Sequence, residues 1–135
     1  MPRRPVAVAR PPRLHLLGRV DGVQIYLVSG ERVRDEIDVD FTEGGNDAVY
    51  TYVPAGEVWI DDAAHALDRT ATALHELVER DLMLRRGLSY DEAHDAANER
   101  ERALRRDLVR RRPARFDLDR VAGAYRDYLG GIAWR

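Results

Sequence analysis

Residues 58–87 read VWIDDAAHALDRTATALHELVERDLMLRRG, and the side-chain periodicity changes inside this stretch. Val58-Trp59-Ile60 is a short apolar run of strand-forming residues. From residue 63 to residue 86 the apolar positions Leu67, Ala71, Leu74, Val78 and Leu82 fall three and four apart. That spacing lines one face of an amphipathic helix. Asp61 or Asp62 is the expected cap at its start. Arg85-Arg86-Gly87 supplies cations for the last turn and a glycine for the left-handed position beyond it.

Upstream of the switch the signals are for strands. Residues 14–20 and 23–28 flank Asp21-Gly22, a hairpin dipeptide. Residues 37–42 alternate, with Ile37, Val39 and Phe41 on one face and Asp38 and Asp40 on the other, as a half-buried strand would. Gly44-Gly45-Asn46-Asp47 reads as a turn, and residues 49–53 as an aromatic, β-branched strand stopped by Pro54. Downstream, Ser89-Tyr90-Asp91-Glu92 is a capping box opening a helix that runs to Pro113. A third helix, residues 118–129, aligns Val121, Ala122, Tyr125, Tyr128 and Leu129 before Gly130-Gly131. Strands first and helices after predict an α+β fold: a small mixed or antiparallel sheet followed by three helices packed on one of its faces.

With 135 residues the chain suits one domain, residues 14–135, preceded by an Arg/Pro-rich arm, residues 1–13, whose composition supports no core and predicts mobility. It contains no Cys, which excludes disulfides, thiolate metal sites and a cysteine nucleophile. No apolar run spans a bilayer and residues 1–13 lack a signal-peptide core, so a cytoplasmic protein without membrane contact is expected. All 22 cations are Arg, which reads as coding bias, and the net charge of −2 gives no general pull toward nucleic acid. Residues 99–115 hold eight Arg against Glu99, Glu101 and Asp107. The two signs interleave at helical spacing, as on an ion-paired surface, and no aromatic residues are interspersed for base stacking. Nucleic acid is therefore not the expected partner.

The chemistry concentrates on the first long helix. His75 and Glu79 are four residues apart and project from one face, with Glu76 beside them. Fifteen residues after Glu79, across the turn at Gly87, the second helix presents His94, and Glu101 points the same way. Helices joined by a short turn pack antiparallel, which can bring His94 to the His75/Glu79 pair. Two imidazoles and a carboxylate suit zinc with an open fourth position, and also non-haem iron. The competing interpretation is an i,i+4 surface pair with His94 hydrogen-bonded to Glu79 or Glu101. A carboxylate at position 101, on an apolar face, needs a partner, and a supporting hydrogen bond to His94 is the expected one.

His75-Glu76-Leu77-Val78-Glu79, following strands that end in Val58-Trp59-Ile60, resembles the zincin metallopeptidases, whose helix carries H-E-x-x-H. The longer string from His75 to Glu101 is similar to short bacterial and phage proteins with a zincin-like core. The resemblance covers residues 50–101 and implies His75 as a Zn²⁺ ligand, Glu76 as general base and residues 58–60 as the substrate-binding edge strand. Glu79 stands where the family has its second His, so the implied ligand set is His75, Glu79 and His94. A metallohydrolase cleaving peptide bonds is expected. The alternative is a non-catalytic module of phage or mobile-element origin that binds another protein.

Overall fold

A computed structural model describes residues 11–133 of the chain. Its elements in order are β1 (Arg13–Val20), β2 (Val23–Val28), α1 (Gly30–Glu36), β3 (Gly44–Asn46), β4 (Glu57–Asp61), α2 (Ala66–Leu84), α3 (Tyr90–Arg111) and α4 (Leu118–Ala133). The sheet is mixed, in the order β1-β2-β4-β3. Asp21 and Gly22 turn the first hairpin with φ of 50° and 78°, the left-handed pair that a tight primed turn requires. β2 and β4 pair in parallel, Ile25 beside Val58 and Leu27 beside Ile60, and β3 pairs antiparallel with β4. The fold is α+β, with three long helices after the sheet.

Strand alternation sends side chains to two buried faces. Val23, Ile25, Val58 and Ile60 enter the main core with Leu74, Leu77 and Val78 of α2, Leu104 and Leu108 of α3, and Val121 and Tyr125 of α4. Val28 and Trp59 point the other way, into a smaller core with Val33, Phe41 and Val53. The long helices thus cover one face, while α1 and the segments 37–41 and 50–53 cover the other.

Several expectations are corrected. Residues 37–42 form no strand: Phe41 is buried but Val39 is 76% exposed. Asp38 explains the difference, since its carboxylate accepts from the Asp40 N–H (3.0 Å) and its carbonyl from the Phe41 N–H. Such local bonds compete with a strand ladder. Ser29 instead caps the short helix α1 through the Arg32 N–H. Residues 49–53 are turns, started by the Asn46 side chain, which accepts from the N–H groups of Ala48 and Val49. The segment read as a turn, Gly44–Asn46, is instead strand β3. Helix α2 begins after His65, not at Asp61, whose carboxylate binds the Ala63 N–H in the preceding turn. Gly130-Gly131 does not stop α4, because glycine weakens a helix by only about 1 kcal/mol per residue without forbidding it.

The proposed arm falls on residues 1–10, outside the described residues, and on the start of the structure. Pro12 accepts from the Ser29 N–H, and Arg13 opens β1 and ion-pairs with buried Glu57. On α3 the interleaved charges pair selectively. Arg105 bridges Glu101 and Asp68, and Asp107 takes Arg111 and Arg120. Arg102, Arg106 and Arg110 have no ion pair among the described residues. No helix among the described residues is long and apolar enough to cross a membrane.

Candidate metal centre

The site is built on the α2–α3 hairpin. The turn closes where the Leu88 N–H reaches the Leu82 carbonyl (3.0 Å), with Gly87 at φ 70°. Ser89 and Glu92 form the capping box that restarts the chain as α3. The two helices pack so that His94 meets the His75/Glu79 face. His75 Nε2 lies 3.2 Å from Glu79 Oε2, and His94 Nδ1 lies 2.8 Å from the same oxygen. One donor atom from each of His75, Glu79 and His94 lies within 4.8 Å of the other two. The imidazole rings meet edge to face, their centroids 4.9 Å apart. Tyr90, one turn before His94, stacks on its ring.

Glu101 stands on the other side of His75, its Oε1 2.9 Å from Nδ1. This contact is close but poorly directed, and Nδ1 completes no well-aligned hydrogen bond. Glu101 therefore attends His75, whereas the expected partner was His94. Glu76 is buried beside the pair, with Oε2 3.9 Å from His75 Nε2.

A residue that the sequence reading placed only in a turn joins the two buried acids. Asn46, fully buried on β3, points its Nδ2 at Glu76 Oε1 (3.0 Å) and at Glu79 Oε1 (3.2 Å). Its oxygen is already committed to two backbone N–H groups, so the amide orientation is fixed by its surroundings. The next residue, Asp47, pairs with Arg80 of α2 and fastens this segment to the helix. β3 comes this close only because of its glycines. A Cβ on Gly44 would sit 2.8 Å from the Thr72 methyl, and one on Gly45 would sit 2.6 Å from the Tyr50 ring. Adjacent glycines before Asn were the available signal, since they mark close backbone approach as well as turns.

The charges settle one another. Burial opposes a charge on His75, but Glu101 and Glu79 outweigh it and lift its pKa to about 10. Burial pushes the Glu76 carboxyl up to about 8, and the neighbouring charge of Glu79 adds to the effect. Glu79 is held below its ordinary value despite burial, because both histidines hydrogen-bond it. Glu101 is lowered likewise, against burial, by His75 and Arg105. Around pH 7 the cluster is a protonated imidazole between two carboxylates, with a mainly neutral acid at Glu76.

These groups line a cleft of about 280 Å³, with Tyr50 and Tyr90 among its walls. Thr72, 4% exposed, also borders it, and its hydroxyl has no partner among the described residues. Residues 58–60 are not the sheet edge: β4 lies between β2 and β3. β3 holds the edge, and its three residues are buried. His15 and His65 lie apart from the cluster, His15 on exposed β1 and His65 at the start of α2. No protein-family model, curated protein or solved structure matches this chain.

Proposed function

We propose that the cluster is a metal site of a small hydrolase acting on peptide-like amide bonds, with Zn²⁺ held by His75, Glu79 and His94. The observation that carries this reading is the convergence of two imidazole nitrogens on one buried carboxylate oxygen, at 3.2 and 2.8 Å. Tetrahedral bonds of about 2.1 Å separate ligand atoms by about 3.4 Å, so small side-chain movements suffice to admit the ion. The donor set is also chemically apt, because borderline-soft imidazoles and one anionic oxygen suit zinc better than calcium or magnesium.

When bound, the metal supplies Lewis acidity and lowers the pKa of water. The chain supplies the rest. Glu101 beside Nδ1 orients the His75 ring and increases its basicity, as carboxylates behind metal-binding histidines do. Asn46 holds Glu76 and Glu79 at fixed positions through one amide group. Glu76 faces the cleft, and among the described residues no cationic side chain except His75 pairs with it, so once ionised it can take a proton from an attacking water and return it to the leaving amine.

The test is the metal content of protein purified without a polyhistidine tag. About one zinc per chain is expected, and Glu79→Gln should bind zinc more weakly because the anionic ligand is gone. Folded wild-type protein without zinc at neutral pH, after incubation with a small molar excess, would sink the reading. A second reading, a metal-free protein-binding module, is favoured by one observation. The His75 ring is already bracketed by two carboxylates and needs no ion to remain buried.

A further inference from the structure

Among the described residues, the charged side chains that line the cleft, apart from its two histidines, are Glu43, Glu76, Glu79 and Glu101. Although the chain carries 22 Arg, none among the described residues lines this cleft. Arg105 touches Glu101 but is also drawn to Asp68, at 2.6 Å. A divalent ion would cancel two of four carboxylate charges and leave the cleft anionic when all are ionised. A cleft lined by one sign concentrates ligands of the other. Tyr50 and Tyr90 line its walls, Tyr50 stacked on Tyr52 and Tyr90 on His94, so neither brings a positive charge to it.

Three of the four carboxylates already have work. Glu76 and Glu79 are bound by Asn46, and Glu79 and Glu101 by the histidines. Glu43 differs: it is exposed at the rim, and its side chain has no hydrogen bond or ion pair among the described residues. Its backbone is also in the left-handed region, at φ 55°, where glycine or asparagine is the easier residue. A glutamate there gives the fold nothing that glycine would not give.

We infer that the cleft takes a cationic side chain, arginine or lysine, of a peptide, and that Glu43 is the specificity residue that receives it. The inference rests on the reading of the cleft as a peptide-binding metal site, and it adds the class of substrate. Glu43 acts by pairing with the cation at the rim, while Tyr50 and Tyr90 flank the side chain's path inward.

The experiment measures fluorescence anisotropy of three labelled pentapeptides, Ala-Ala-X-Ala-Ala with X as Arg, Gln or Glu, with zinc-loaded and metal-free protein. At low salt the Arg peptide should bind about tenfold more tightly than the other two, and 0.5 M salt should erase most of that advantage. Glu43→Gln should reduce the preference to about twofold, the change expected for one rim ion pair. Glu43→Gly should do the same with an unchanged or higher thermal midpoint, because it suits the backbone there. Equal binding of the three peptides, binding of none, or an undiminished preference in both variants would overturn the inference. Zinc titration of the same samples separates the two ideas. Failure to take up zinc counts against the metal reading alone, and an Arg preference that persists in metal-free protein still upholds the cation site.

Discussion

Glu76→Gln is expected to leave zinc uptake nearly unchanged and to lower amide hydrolysis by about 10²–10⁴-fold, the usual worth of a positioned general base. The substitution keeps the side chain's size and the acceptor that Asn46 Nδ2 reaches at 3.0 Å. It also removes a buried acid that sits beside Glu79, so the fold should be at least as stable. Only the capacity to take a proton is lost. Turnover of a quenched-fluorescence peptide, with zinc measured in the same sample, decides the matter. Full activity in the variant would mean that Glu76 is not the base.

The second large effect is a reversal with pH. His75 has a pKa of about 10 in the metal-free fold against 6.5 ordinarily, so the folded state holds its proton more tightly. That contribution to stability is complete below about pH 6.5 and is lost as pH rises through 10. Glu76 has the same sign, its contribution fading between 4.5 and about 8. The thermal midpoint of metal-free protein should therefore fall steadily from pH 6.5 to 10. Zinc must displace the His75 proton, so its apparent affinity should rise about tenfold per pH unit over the same range. Zinc-loaded protein should then gain on metal-free protein as pH rises. Midpoints measured with and without zinc between pH 6.5 and 10 test this, and parallel curves would count against His75 as a ligand.

The helical half of the molecule was legible because its determinants are local. Leu67 through Leu82 declare their period within one element, and Ser89 and Glu92 cap α3 within four residues. The juxtaposition of His75, Glu79 and His94 followed from a short turn between two such helices. The other wall of the cleft was not legible. Asn46 lies 30 residues from Glu76 in sequence, and its string of two glycines, asparagine and aspartate suits a turn as well as an edge strand. Apolar alternation at Ile37, Val39 and Phe41 misled for a related reason. The carboxylate of Asp38 offered the backbone a nearer hydrogen bond than any neighbouring strand did.

The two-sided sheet divides the molecule into parts of unequal cohesion. The smaller core rests on Val28, Val33, Phe41, Val53 and Trp59, and much of its cover is turn rather than helix or strand. Segments with few apolar contacts and short-range hydrogen bonds open at lower free energy than a protein's main core. Residues 48–53 should therefore open first while β3, α2 and α3 remain folded, and amides at Tyr50 and Val53, whose bonds reach only Asn46 and Tyr50, should exchange with solvent faster than those from Leu74 to Leu82. Tyr50 would leave with that unit, whereas Asn46 would stay on β3 and His75, Glu79 and His94 together on the helices. The cleft then has a rigid floor that keeps its donors in place and a hinged wall that can admit a chain larger than the closed space.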